Sequence, residues 1–308
     1  MEKEKKRWVF IINPVAGNGS ANLLIPKLED MLTKKKIEAE IVFSEHKGHA
    51  AGLSSDYYER GTDYIIGVGG DGTLNEIARP LVNKKNVTIG IIPAGTGNDF
   101  IQILGFPNRF EEKHWDIFFR AEEKKMDVGL CNGMIFLNGM GLGFDAQVAA
   151  ENYTEEGNVK KGGGNKYIWH IVKTLLYFRE KKMTSFIGAD KSETDCFINT
   201  IANGRRFAGG FFLTPKALAD DGLLDVCMIE RLSLFERFSI LLMVPKGLHV
   251  ADRRVNYYQT PGIRLEFPEP VPFHVDGELY FSKEFDVSIM PAAVNTIYNP
   301  DGNHFFCH

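Results

Sequence analysis

The stretch Tyr64–Leu81, YIIGVGGDGTLNEIARPL, decides how this chain is read. It runs from an apolar segment, through glycines packed around Asp71, into a segment of amphipathic spacing. That pattern predicts a strand, a tight turn and a helix, with the glycines at the carboxyl end of the strand. In open α/β sheets ligands settle at that edge. Glycines let a backbone approach a phosphate closely, and the unpaired N–H groups of a helix start favour anions. Asp71 does not suit a plain anion site, but it fits if a metal ion or a substrate hydroxyl lies beside the phosphates. The alternative is a tight turn whose aspartate caps the helix at Thr73 or Leu74.

Working outward, WVFIIN from Trp8 is a continuous apolar run, as expected of a strand covered on both faces. ANLLIPKLEDMLTKKK follows with Leu23, Leu24, Leu28 and Leu32 at roughly helical spacing, then the strand EAEIVFS and the helix HAAGLSSDYYERG. VTIGIIPAG makes a fourth strand after the helix TLNEIARPLVN. This alternation predicts an α/β domain with a mostly parallel sheet over residues 1–125. INPVAGNGSA and IIPAGTGNDF supply two more small-residue loops at the same sheet edge, the second with Thr96, Asn98 and Asp99. Three such loops would line one crevice. GxxxxGK[ST] is missing, as are HRD and DFG, which excludes a P-loop protein and an ordinary protein kinase.

From Met126 onward short strand-like runs dominate, separated by Gly, Asn and Pro turns, and predict an antiparallel β-sandwich or barrel over 126–290. Two helical stretches interrupt it, NKYIWHIVKTLLYFREKK and LSLFERFSILLMVPKG. YTEEGNVKKGGGNK reads as a mobile loop. The tail 291–308 is a candidate to return to the first domain, with its last residues, HFFCH, frayed rather than metal-binding. His46 and His49 do not match a closed zinc site either.

The bulk numbers narrow the class. At 308 residues the chain can hold two domains, and its 44% hydrophobic and 25% charged content is that of a globular protein. A net charge of −4 provides no basic field for nucleic acid. Cys131, Cys196, Cys227 and Cys307 lie far apart with no CxxC pair, which points to a reduced compartment. Neither the apolar run after MEKEKKR nor FSILLMV is long enough to span a membrane. The expectation is a cytoplasmic protein that visits a membrane surface.

GGDGT at Gly69–Thr73, with NPVAG at Asn13–Gly17 and PAGTGNDF at Pro93–Phe100, resembles the diacylglycerol kinase catalytic-domain family, which includes soluble bacterial lipid kinases and sphingosine kinases. NGRRFAGGFFLTPKALADDGLLDV and HVDGE at His274–Glu278 continue the resemblance in the family's order. It implies an NAD-kinase-like, nucleotide-binding α/β domain, a β-sandwich-like second domain and an active site in the cleft between them. It further implies that Asn13, Pro14, Val15, Ala16, Gly17, Ser44, Gly69, Gly70, Asp71, Gly72, Thr73, Leu74, Asn75 and Thr96 surround ATP. By the same resemblance Glu278 is the general base, and Asp71 sits near the transferred phosphoryl group and Mg2+. Asp221, with the backbone carbonyls of Leu218 and Leu223, would hold a structural magnesium. Asp99, Asp127 and Asp276 would complete an acidic network at the substrate. The partners implied are ATP and a membrane lipid reached by peripheral association, and relatives are often homodimers.

The chemistry supports those roles separately. Phosphoryl transfer to an alcohol needs positioning, a metal to offset charge and a carboxylate to take the hydroxyl proton. Asp276 and Glu278, two apart, would face one side of an extended chain. HVDGEL equally suits an Asp-Gly hairpin, and ADDGL a turn without an ion. The expected reaction is transfer of the γ-phosphate of Mg-ATP to a lipid hydroxyl, most directly diacylglycerol to phosphatidic acid. A sphingoid-base or ceramide kinase, and a catalytically silent lipid- or nucleotide-binding regulator, are the alternatives. An NAD kinase would explain GGDGT but not the Asn13-Pro14 loop or GTGNDF. Departures from the family pattern fall at Ile101, Ala208, Lys216 and Leu279. For the lipid, FIQILGFP and the apolar face of Ile168, Ile171, Val172, Leu175 and Leu176 are candidates, the latter flanked by Lys166, Lys173, Arg179, Lys181 and Lys182. That face could equally pack on the core.

Overall fold

β1 (Trp8–Ile12), β3 (Tyr64–Gly69) and β4 (Thr88–Pro93) are buried at every position, which is why they read as unbroken apolar runs. With β2 (Ala39–Phe43) at the edge, they pair in parallel in the order β2-β1-β3-β4. The computed structural model describes residues 6–152 and 164–307 and divides into two units. The first comprises Met1–Val128, Leu218–Gly222 and Met290–His308.

The helices of this unit are α1 (Ser20–Leu23), α2 (Ile25–Lys35), α3 (His49–Glu59), α4 (Asp71–Ala78) and α5 (Glu112–Phe118). A single helix was expected across 21–36; the chain instead breaks at Leu24, ahead of Pro26, whose ring removes a donor from the helical ladder. Leu23 therefore faces outward at 79% exposure, while Leu28, Met31 and Leu32 are buried. α4 stops at Ala78 for the same reason, turning into a short 3-10 segment that contains Pro80.

The end of the chain is built into this unit. Thr296 pairs in parallel with Ile89, and Phe305 N–H donates to the Ile103 carbonyl at 3.0 Å. Phe305 and Phe306 are buried, so the expected frayed tail is not what forms: two aromatic side chains find a core. Phe100, Ile101, Ile103, Leu104 and Phe106 are likewise core residues here. Residues 218–222, which the sequence reading grouped with 126–290, belong to the first unit.

The second unit, Gly129–Ala217 and Leu223–Ile289, is antiparallel throughout its strand pairs. β5 (Glu123–Cys131) enters it and pairs with β6 (Met134–Phe136); β7 (Gly139–Gly143), α6 (Phe144–Asn152), α7 (Gly164–Tyr177), β8 (Lys181–Ile187) and β9 (Asp190–Ala202) follow. After the excursion at 218–222 come β10 (Leu224–Glu230), α8 (Leu234–Met243), β11 (Val255–Thr260), β12 (Gly262–Val275) and β13 (Glu278–Ile297), whose last residues lie in the first unit. β9 and β12 each pair with β7 at one end and β8 at the other, closing a ring of strands around Phe136, Met140, Phe273 and Phe285. α7 ends at Tyr177, short of the expected Lys182, because β8 takes over at Lys181. Of the loop expected at 153–166, residues 153–163 lie outside the described residues, as do the side chains of Lys166 and Ile168, while 164–166 already belong to α7.

Two hairpins close on Asn132-Gly133 and Asp276-Gly277, all four residues with positive φ, the mirror-image turn that such dipeptides favour. Asp276 at φ 44° is therefore not in extended chain, and the alternation argument that put it on one side with Glu278 does not hold. Ala208, one of the departures from the family pattern, also has a positive φ of 49°.

Candidate active site

In the first unit the small-residue turns after β1, β3 and β4 interlock. Asn13 Nδ2 donates to Thr73 Oγ1 at 3.0 Å, tying the turn after β1 to the one after β3. Gly17, at φ +56°, lies so close to the Ala94 carbonyl that a Cβ there would collide with it. Gly70 and Gly95 back onto each other, with a Cβ on Gly95 only 2.5 Å from the Gly70 Cα. These contacts explain the glycines: two backbones cannot meet this closely with side chains between them.

Asp71 answers the question its position raises differently from a helix cap. Its carboxylate accepts the backbone N–H groups of Asp99 at 3.0 Å and Phe100 at 3.1 Å, so it holds the turn after β4 against the start of α4. Leu74 N–H is satisfied by the Gly70 carbonyl at 3.2 Å. Of the remaining residues expected around ATP, Ser44 is buried with its hydroxyl toward the Ile12 carbonyl, and Leu74 packs in the core. Asn75 is buried with its Oδ1 accepting from Arg79 Nε at 2.7 Å. Val15 and Thr96 are exposed, Pro14 and Ala16 lie in the turn after β1, Gly69 ends β3 and Gly72 is in the first turn of α4. Asn98 was named in the loop after β4 but was given no role of its own. It is buried at positive φ, donates to the Gly95 carbonyl at 2.8 Å, and leaves its Oδ1 buried without a partner beside Gly95. Its place inside GTGNDF was the available signal.

The Asp-Asp-Gly turn is held from within the same unit. Asp127 accepts the N–H of Gly222 at 2.7 Å and of Ala292 at 2.6 Å, and its own N–H donates to the Ala219 carbonyl. Burial pushes its carboxyl above the ordinary carboxylate range despite those two donors. Asp220 accepts the Cys307 N–H at 2.6 Å and pairs with Lys124 at 3.1 Å. Among the described residues no three His, Cys, Asp or Glu side chains gather as a metal cage. A magnesium at Asp221 would thus rest on one carboxylate and on carbonyls such as those of Leu218 and Leu223, an all-oxygen set of the kind this hard ion takes.

In the second unit Glu278 opens β13 directly after the Asp276-Gly277 turn. Tyr280 Oη donates to Glu278 Oε2 at 2.7 Å. Period-two alternation puts both on one strand face, so this partner was readable and was missed. Asp276 accepts three backbone N–H groups, from Leu137, Asn138 and Gly139 at 2.8, 3.0 and 3.0 Å. Its contacts are those of a clamp on the hairpin. A second pair, unforeseen from sequence, joins His274 Nε2 to Asp145 Oδ2 at 3.1 Å above Gly141, where any side chain would strike both.

Comparison with known proteins agrees with the motifs. The profile of the diacylglycerol kinase catalytic domain matches residues 7–131, and that of the YegS C-terminal NAD kinase beta sandwich-like domain matches residues 138–298. A Shewanella frigidimarina protein named "Probable lipid kinase YegS-like" is 30% identical over 77% of this chain and 76% of its own. The diacylglycerol kinase of Staphylococcus saprophyticus is 27% identical over 89% of each chain. A crystal structure of a diacylglycerol kinase from Bacillus anthracis superposes with a TM-score of 0.72 at 20% identity over 98% of this chain and 100% of that one, and another Bacillus anthracis structure with 0.81 at 24% over 98% of both. These structural likenesses carry the fold; the motifs, the profiles and the sequence relatives together carry the kinship. The chain belongs to the diacylglycerol kinase catalytic-domain family of lipid kinases.

Proposed function

We propose that the protein transfers the γ-phosphate of Mg-ATP to a lipid hydroxyl, with diacylglycerol as the acceptor and phosphatidic acid as the product. The observation that carries this is Asp71. It is a carboxylate within a convergence of three glycine turns, in a chain whose relatives include named diacylglycerol kinases. The close backbone approach at Gly17, Gly70 and Gly95 suits polyphosphate binding by main-chain N–H groups. Magnesium bound with ATP would offset the phosphate charge. Asp71, Asp99 and Thr96 border that turn cluster. Glu278 takes the proton from the lipid hydroxyl as it attacks, and Tyr280 orients the accepting carboxylate by its hydrogen bond. Asp221 and the carbonyls of Leu218 and Leu223 serve a structural magnesium that stiffens the Asp-Asp-Gly turn.

The test is transfer of label from γ-labelled ATP, with magnesium, to diacylglycerol, sphingosine, ceramide and phosphatidylglycerol in mixed micelles, with NAD as a control. Labelled phosphatidic acid is the expected product. Label on a sphingoid base or ceramide alone would overturn the acceptor, and label on NAD alone would overturn the lipid. ATP binding without transfer to any of these would favour the silent regulator.

A further inference from the structure

α8 is apolar on both faces, with Ile240 buried on the inner one. Its arginine, Arg237, is buried: Nη1 donates to the Leu175 carbonyl at 2.7 Å, and Nη2 pairs with Glu180 at 2.6 Å, both side chains under a tenth exposed. On the opposite face Phe235 is 89% exposed and Leu242 81%, with Phe238 between them at 41%. These three sit at i, i+3 and i+7, one stripe of a helix. Among the described residues, four of the eleven exposed large hydrophobic side chains lie on this ten-residue helix. Leu248 extends the ridge past its end. A helix facing only water would do the reverse, since burying an arginine needs partners and exposing phenylalanine gains nothing.

We infer that the α8 ridge is a docking surface for an anionic lipid bilayer. Its charge surroundings identify the occupant. Apart from the buried Arg237, residues 230–254 carry four lysines and arginines against three acidic residues, in a chain of net charge −4. Arg231, Lys246 and Arg253, close to α8 in sequence, are exposed. The end of α7, which Arg237 ties to α8, adds exposed Tyr177 and Leu176, followed by Arg179, Lys181 and Lys182. An apolar stripe with a basic fringe matches acyl chains below anionic headgroups, whereas a second copy of this chain would meet the same positive fringe with its own. The inference rests on the lipid-kinase reading only for a reason to visit a bilayer.

The experiment is co-sedimentation of the full chain, without ATP or substrate, with phosphatidylcholine vesicles prepared with and without phosphatidylglycerol. Wild type should bind the phosphatidylglycerol vesicles. The double variant Phe235→Ser, Leu242→Ser should bind about tenfold more weakly for each side chain removed. Its melting temperature and its phosphorylation of a short-chain, water-soluble diacylglycerol should stay at wild-type values. Equal vesicle binding by the variant, or no binding by wild type, overturns the inference. So does a wild-type dimer that the double variant dissociates with vesicle binding unchanged, because the ridge then belongs to a second copy. Loss of all lipid phosphorylation by wild type would defeat the kinase reading and leave the vesicle result standing.

Discussion

The dipeptide Asp-Gly occurs at 71–72 in the first unit and at 276–277 in the second, and the two do opposite things with one signature. Asp71-Gly72 starts a helix, with a Cβ on Gly72 meeting nothing, and Asp71 gathers two N–H groups from the next turn of its own sheet edge. Asp276-Gly277 reverses a strand at positive φ, and Asp276 gathers three N–H groups from residues nearly half the chain away. Both carboxylates fasten distant backbone. The first fastens the turns that would receive phosphates; the second fastens the turn that presents Glu278. The difference teaches that one dipeptide serves a helix start or a strand reversal according to its neighbours in space, not in sequence.

The sharpest way to separate the roles is to change neighbours in the same hairpin. Glu278→Gln should lower lipid phosphorylation by roughly 10²–10⁴-fold, the worth of a general base, with an unchanged melting temperature. Near-wild-type turnover would return Glu278 to the status of a hairpin residue. Asp276→Ala should act on stability first. It leaves three N–H groups without their acceptor and should cost about 3 kcal/mol in urea unfolding. Wild-type stability in that variant would mean the clamp contributes nothing.

Asp71→Asn blends the two effects. Asparagine offers one oxygen to two N–H groups and aims an NH2 at the other, so turnover should be lost and the turn at Asp99–Phe100 loosened, readable as faster amide exchange there. Exchange unchanged alongside lost turnover would assign Asp71 wholly to chemistry. Glycine changes give a smaller contrast. Gly17→Ala should raise KM for ATP and cost about 1–3 kcal/mol, because the Ala94 carbonyl fills the space and φ is positive. Gly72→Ala, in helix with open space around it, should be neutral or stabilising by about 0.5–1 kcal/mol.

The smallest effect is one of pH. His249 is fully buried, and desolvation holds its imidazole below the ordinary histidine range in the folded state. The unfolded chain therefore takes up a proton first as pH falls. Stability from this site is complete above about pH 6.5 and is lost as pH drops through the folded value. His249→Gln should flatten the fall of Tm across that acid window, and an unaltered slope would exonerate the histidine.

Much of this was legible beforehand, and the exceptions share a cause. The parallel strands announced themselves because burial on both faces leaves an apolar run, as in YIIGVG. The convergence of turns was legible because glycine at a strand end has few other uses. Pro26 should have split the first helix on inspection. What no local pattern could supply is partnership across long separations: Asp127 with Ala292, Asp276 with Leu137, the tail aromatics with Ile103. Nor does an amphipathic period say which face is inward, so it could not foretell that Phe235 and Leu242 of α8 face outward.

The excursion of the chain out of the first unit and back has a consequence during synthesis. A ribosome delivers residues in order, and domains close as their pieces emerge. The second unit has all its residues once Ile289 has appeared, whereas the first, begun earlier, still lacks Met290–His308. The glycine turns thus still lack part of their frame when the last residue of the second unit emerges. The stretch carrying Thr296, Phe305 and Phe306, which emerges after Ile289, completes the older unit.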